Sequence, residues 1–163
     1  NRLARDLWSA FRSERRVPLA FPDSPDGTLN IHASCVSVQG RGVLICGPSG
    51  SGKSALALHL MALGADLVAD DRTLLRNTGD TLTASAVATI HGLIEARGVG
   101  ILNAAATQAA LHLCIDLGTT EIERLPPLRS VNVMGHAIPL LHRAPYDHFG
   151  AAILQLLKHG RHS

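Results

Sequence analysis

Val43-Leu44-Ile45-Cys46-Gly47-Pro48-Ser49-Gly50-Ser51-Gly52-Lys53-Ser54 runs from a wholly apolar, partly β-branched stretch directly into a glycine loop. A short apolar run of this kind, preceded by the turn residues Gln39-Gly40-Arg41-Gly42, predicts a buried strand. After Lys53, Leu56, Leu60 and Leu63 recur at helical spacing until Gly64 stops the pattern, so a helix is expected over Ser54 to Leu63. Strand, glycine loop and helix therefore follow one another in the order that a phosphate-binding loop requires.

Gly47 to Ser54 satisfies G-x-x-x-x-G-K-[ST]. Backbone N–H groups must converge on phosphate oxygens, which calls for glycines that let the main chain turn tightly and come close. The loop residues Gly47, Pro48, Ser49, Gly50, Ser51, Gly52, Lys53 and Ser54 are accordingly the expected nucleotide cradle. Lys53 would supply a point charge to the β- and γ-phosphates and the Ser54 hydroxyl would ligand Mg²⁺, with the helix start aiming its positive end at the anion. ATP with Mg²⁺ is the expected ligand.

A triphosphate site needs a carboxylate for the metal, and two candidates compete. Asp116 ends the apolar run Leu111-His112-Leu113-Cys114-Ile115, in the manner of a Walker B strand. Asp70 and Asp71 end Asp66-Leu67-Val68-Ala69, the strand expected directly after the helix, and two adjacent carboxylates there could divide metal positioning from proton abstraction. His32, on the strand expected before the loop strand, either reaches the phosphate edge or is a packed core histidine.

Outward from this centre, Leu29 to Val38 reads as one alternating strand, Asn77 to Asp80 as a turn between two short strands, and Val131 to Leu141 as a hairpin turning at Gly135. Asp147 to His159 reads as a closing helix. At the other end, Leu3, Leu7 and Phe11 lie on one face of an amphipathic helix over residues 2–13, and Pro18, Pro22 and Pro25 mark a linker. The expected organisation is a helix and linker over 1–28 and one domain over 29–163.

Composition narrows the function classes. The 163 residues are 46% hydrophobic but only 3% aromatic, so the core is aliphatic and base-stacking platforms are scarce. With lysine at Lys53 and Lys158 alone and a net charge near +2, no broad nucleic-acid footprint is expected. No apolar run is long enough to span a bilayer. Cys35, Cys46 and Cys114 sit singly in apolar runs, which predicts buried reduced thiols and a cytoplasmic setting.

Four pieces taken together resemble a known family: Ile31-His32, the glycine loop, Leu67-Val68-Ala69-Asp70-Asp71, and Leu93-Ile94-Glu95-Ala96-Arg97-Gly98-Val99-Gly100-Ile101. In that order and spacing they resemble the C-terminal catalytic domain of HPr kinase/phosphorylase, in particular its short alphaproteobacterial form. The resemblance implies an α/β P-loop domain of the phosphoenolpyruvate carboxykinase-like type, a mixed sheet with flanking helices. It implies an ATP- and Mg²⁺-dependent serine kinase, with phosphorylase activity also expected, acting on the HPr phosphocarrier of a phosphotransferase system. A metabolite kinase and an ATP-sensing module are the alternatives on the same fold.

Carried over by position, the resemblance shifts the expected carboxylates from Asp116 to Asp70 and Asp71. Asp71 becomes the base for the serine hydroxyl, tuned by His32. Ser54, Glu95 and Asp70 become the metal residues, and Lys53 and Arg97 stabilise phosphate charge. A homo-oligomer, hexameric in the family, is implied. The family's long form also carries a further N-terminal domain, which residues 1–28 do not supply, and a Gly-Arg loop that engages the carrier, whereas Val131 to His136 holds no arginine.

Overall fold

The computed structural model describes residues 18–163, so the helix expected over residues 2–13 lies outside the described residues. Among the described residues, eleven strands and two α-helices follow in the order β1 (Thr28–Ile31), β2 (Ser34–Val38), β3 (Arg41–Cys46), α1 (Lys53–Ala62), β4 (Asp66–Ala69), β5 (Thr73–Asn77), β6 (Leu82–Ala86), β7 (Leu93–Ala96), β8 (Gly100–Asn103), β9 (Ala109–Thr120), β10 (Arg129–Val133), β11 (His136–Arg143) and α2 (Phe149–His159). The glycine loop lies between β3 and α1, as its sequence predicts.

Nine strands make one mixed sheet, ordered β1-β5-β6-β9-β3-β2-β4, with β11 on β9 and β10 on β11. The 12-residue β9 is its spine. β3 runs parallel to it along one side, β6 meets its beginning on the other, and β11 runs parallel to its later half. β7 and β8 form a separate hairpin.

The stretch from Leu29 to Val38, expected as one strand, is two. β1 pairs only with β5, whereas β2 pairs with β3 and β4 on the far side of the sheet. Five inter-strand steps, roughly 24 Å if flat, separate β1 from β2 in the sheet order. The link through His32 and Ala33 reaches only about 11 Å. The sheet therefore has to curl until its two halves meet at this crossing. The mirror crossing occurs between β4 and β5 at Asp70 to Arg72, opposite His32, and the Thr73 hydroxyl ties them by donating to the Ala33 carbonyl at 2.9 Å.

Curling divides the apolar side chains into two layers. Cys35, Leu44, Val68, Leu75, Leu82, Cys114 and Val133 pack inside the curl. Val36, Val43, Ile45, Leu113 and Ile115 face outward onto Ala57 and Leu60 of α1 and Ile153, Leu154 and Leu157 of α2. Both faces of β2, β3 and β9 are thus covered, which is why those strands read as continuous apolar runs rather than alternating ones. Leu19 and Phe21, from the segment read as linker, also pack on the inner layer. The edge of β4 is covered by the segment after β8, where the Thr107 amide donates to the Leu67 carbonyl at 2.9 Å.

Candidate active site

The parallel strands β3 and β9 bring their C-terminal ends together at the glycine loop. Gly47 leaves β3 with φ 153° and a side chain there would collide with Ser51, since an added Cβ would sit 2.5 Å from its Oγ. Gly52 turns the chain into α1 at φ 97°. The first turn of α1 carries no acidic residue, so its positive end is not offset locally. Lys53 is buried and folds back across the loop, its Nζ donating to the carbonyls of Gly47 at 2.9 Å and Pro48 at 3.1 Å. Ser51 Oγ is buried without a hydrogen-bond partner among the described residues. A hydroxyl left unpaired in a ring of turned backbone is costly unless something enters to meet it.

Asp70, 5% exposed, is the buried carboxylate of the site. Its Oδ1 accepts from Ser54 Oγ and from Ser34 Oγ, both at 2.7 Å, and its Oδ2 accepts from the Glu95 amide at 3.0 Å. One carboxylate thus joins the start of α1, the inner strand β2 and the β7 hairpin. Asp71 turns the other way. It sits at φ 65° within a three-residue turn in which the Arg72 amide donates to the Asp70 carbonyl at 2.7 Å. Positive φ is unusual outside glycine, and Asp is among the residues that tolerate it. The turn directs the Asp71 carboxylate outward, where Oδ1 lies 3.0 Å from His32 Nε2. His32 is placed by a matching tight turn, with the Ala33 amide donating to the Ile31 carbonyl at 3.0 Å. The two crossings that curl the sheet are therefore what bring His32 and Asp71 together.

Asp116 does something else. It is buried within β9, four residues before the strand ends, and Oδ1 accepts from the Gly118 amide at 2.8 Å and Oδ2 from Thr119 Oγ1 at 2.9 Å, so the carboxylate is engaged by its own strand where the pairing with β11 shifts register. Neighbouring Cys46 feels it: burial first, and the Asp116 charge second, push the thiol up to about 12.

The structure brings His32, Ser54, Asp70 and Asp71 together around the loop. Glu95 joins them through its backbone, while its side chain is exposed on β7, and Arg97 is exposed in the β7–β8 turn. Two contributors escaped the sequence reading. Ser34 is a small polar residue inside a buried strand and carries no motif. Arg143, at the end of β11, donates through Nη2 to the Ser51 carbonyl and through Nε to the Leu117 carbonyl at 3.3 Å. Only the parallel pairing of β11 with β9 reveals that this arginine reaches the loop from behind.

Fold and site define a phosphate-loop protein in which the acidic residues beside the loop come from the next strand in sequence. The family profile of the HPr Serine kinase C-terminal domain matches residues 27–119, more than half of the chain, and the chain belongs to that family. It is 42% identical over 106 residues to the HPr kinase/phosphorylase of Geobacillus kaustophilus, across 60% of this chain and 34% of the relative. It is 51% identical over 77 residues to that of Bacillus licheniformis, across 47% of this chain and 25% of the relative. The chain thus spans about a third or less of the length of these relatives. The structure of the Hpr(Ser) kinase/phosphatase from Coxiella burnetii superposes with a TM-score of 0.67 at 26% identity, covering 79% of this chain and 88% of that one. The α/β mixed-sheet fold expected from the resemblance is the fold observed.

Proposed function

We propose that this domain transfers the γ-phosphoryl group of ATP to a serine hydroxyl of an HPr-type phosphocarrier, and that residues 29–163 are its kinase domain. The observation that carries the reading is the pairing of two differently placed carboxylates beside one glycine loop: Asp70 on Ser54 at 2.7 Å, Asp71 on His32 at 3.0 Å. The orphaned Ser51 hydroxyl and the Lys53 ammonium held on loop carbonyls fit a phosphate chain, which offers both groups charge-assisted partners. Among the described residues no cluster of three or more His, Cys, Asp and Glu could hold a metal. Ser54 and Asp70 would hold Mg²⁺ with phosphate oxygens and water completing its shell, as suits an ion that keeps much of its hydration. When bound, the ion neutralises charge on the phosphates.

In the transfer, Asp71 accepts the proton of the attacking serine hydroxyl, with His32 fixing the carboxylate's orientation. The serine oxygen bonds to the γ-phosphorus as the bond to the β-γ bridging oxygen breaks, and Lys53 meets the charge that develops on the leaving side. In the reverse sense, protonated Asp71 returns its proton to the serine oxygen while inorganic phosphate attacks phosphoserine, giving serine and pyrophosphate. Arg97 and the Glu95 carboxylate, both exposed, are assigned to the bound state: Arg97 to phosphate charge, Glu95 to the metal. The exposed apolar Val99 and Ile101 beside them support a homo-oligomer. Three buried free thiols support a cytoplasmic setting, and no helix among the described residues is long and apolar enough to cross a membrane.

The decisive experiment is transfer from labelled ATP and Mg²⁺ to purified HPr-type carrier by the native chain, Asp71→Asn and Lys53→Ala. Label on a carrier serine that disappears in both variants is the expected result. Nucleotide binding with no carrier label would turn the reading toward a free hydroxyl compound as acceptor or an ATP-sensing role.

A further inference from the structure

Two open cavities flank the glycine loop at opposite halves. One, of about 570 Å³, is bounded by Gly47 and Pro48 where the loop begins, by His32, and by Pro18 to Pro22. The other, of about 520 Å³, is bounded by Ser51 and Gly52 where the loop ends, by Ala55 and His59 of α1, and by Arg143 and Tyr146 at and beyond the end of β11. A triphosphate cradled by the loop has to extend its nucleoside toward one of them.

Two independent features choose between the two. In-line displacement sets the attacking oxygen and the leaving group on opposite sides of the phosphorus. His32, the partner of Asp71, lines the first cavity, so the acceptor enters there and the leaving nucleotide lies on the other side. Second, Arg143 spends in-plane N–H groups on the carbonyls of Ser51 and Leu117, an arrangement that leaves the faces of its guanidinium for contact with a flat ring.

We propose that the second cavity is the nucleoside subsite and that the nucleobase lies against the guanidinium face of Arg143. The assignment rests on the phosphate-loop reading above and deepens it. It also gives Arg143 a second task. The Ser51 carbonyl and the Gly52 N–H belong to one trans peptide and point in opposite directions. By drawing the carbonyl outward, Arg143 turns the Gly52 N–H toward the inside of the loop. A base seated on Arg143 thereby braces the group that orients the phosphate cradle, which couples occupancy of the two subsites.

Photolabelling of the whole chain with 8-azido-ATP, followed by peptide mapping, tests the placement directly. The expected label falls within residues 52–59 or 143–150 and is suppressed by excess ATP. Binding of ATP and of tripolyphosphate, which has no base, tests the chemistry. The exposed Ala55 lines the cavity, and Ala55→Trp should weaken ATP at least tenfold while leaving tripolyphosphate within about twofold, the latter also reporting that the variant folds. Arg143→Ala should weaken both ligands, and Arg143→Lys should restore tripolyphosphate more fully than ATP. Label on residues 18–33, or equal ATP binding by Ala55→Trp and the native chain, overturns the assignment while the phosphate-loop reading stands. Failure of the native chain to bind either ligand removes that reading and this one with it.

Discussion

Asp70 directly follows β4 and Asp116 lies within β9, each after an apolar run that leads toward the same glycine loop, and both are almost completely buried. What separates them is the origin of their partners. Asp116 draws on Gly118 and Thr119, within three positions of itself, so it fastens a local irregularity of its own strand. Asp70 draws on Ser34, Ser54 and Glu95, from three distant elements, so it sets the loop, the inner sheet and the β7 hairpin in register. An apolar strand ending in aspartate is thus insufficient to define a metal carboxylate. The partners' distance along the chain distinguishes a device that assembles a site from one that fastens its own strand.

The largest expected effect lies in breaking that contrast. Asp70→Ala leaves three donors in the interior without an acceptor, at roughly 1–3 kcal/mol each and less than additively, and should abolish carrier phosphorylation as well as lowering Tm by several degrees. Asp116→Ala removes the acceptor that Gly118 and Thr119 share, costs roughly 1–3 kcal/mol in total, and should leave turnover within a few-fold of native. Thermal melts and labelled-phosphate transfer on both variants check this, and equal loss of turnover at equal stability would erase the distinction.

Next in size, Asp71 tests whether the strained neighbour serves chemistry rather than the fold. Its side chain is 70% exposed and meets His32 at 3.0 Å. Asp71→Gly relieves a positive φ and should hold or raise stability by up to about 1 kcal/mol while transfer falls by roughly 10²–10⁴-fold. A transfer rate that survives would remove Asp71 from the role of base.

Much of this was legible in the sequence, for reasons tied to particular residues. The loop, its strand and its helix could be read because glycine, lysine and leucine periodicity are local signals. The two short hairpins at Thr78-Gly79 and Gly135 could be read for the same reason. The division of Leu29 to Val38 could not, because β1 and β2 have similar composition and only pairing with β5 on one side and β4 on the other tells them apart. The choice between Asp70 and Asp116 likewise stayed open from residues alone, since both follow apolar runs and their partners are set by the curl of the sheet. Ser34 and Arg143 were invisible because serine in a buried strand and arginine after one are each commonplace.

A smaller effect belongs to the far end of β9. Glu121, just past Asp116, is held by Arg129, whose Nη2 donates to Oε2 at 3.0 Å and to Oε1 at 3.2 Å. Burial acts to raise this carboxyl, but the Arg129 hydrogen bonds and charge outweigh it and leave it below its ordinary value. A depressed folded-state value contributes stability that is present above the unfolded carboxyl range, about 4.3, and is lost as pH falls through the folded value. Denaturant melts should therefore show native protein losing stability below about pH 4.5 more steeply than Glu121→Gln. Parallel slopes would mean that the ion pair contributes nothing measurable.

The smallest effect is also the most direct measure of where the Asp116 charge is felt. Cys46 closes β3 between the two charged groups. Burial is the main reason its thiol is pushed up to about 12, Asp116 adds to the rise, and Lys53 opposes it. Cys35 and Cys114 are fully enclosed, whereas Cys46 retains 4% exposure and lines the cavity at the start of the loop, so alkylation at mildly alkaline pH reports on it and peptide mapping confirms the site. Removing the negative neighbour in Asp116→Asn should raise the thiolate fraction and speed labelling a few-fold, and removing the positive one in Lys53→Met should slow it. Opposite signs from two substitutions on either side of one thiol exclude a general loosening of the fold, which would accelerate both. A rate indifferent to Asp116→Asn would mean that the Gly118 and Thr119 donors screen the carboxylate completely, making its role within β9 still more self-contained than the contrast with Asp70 requires.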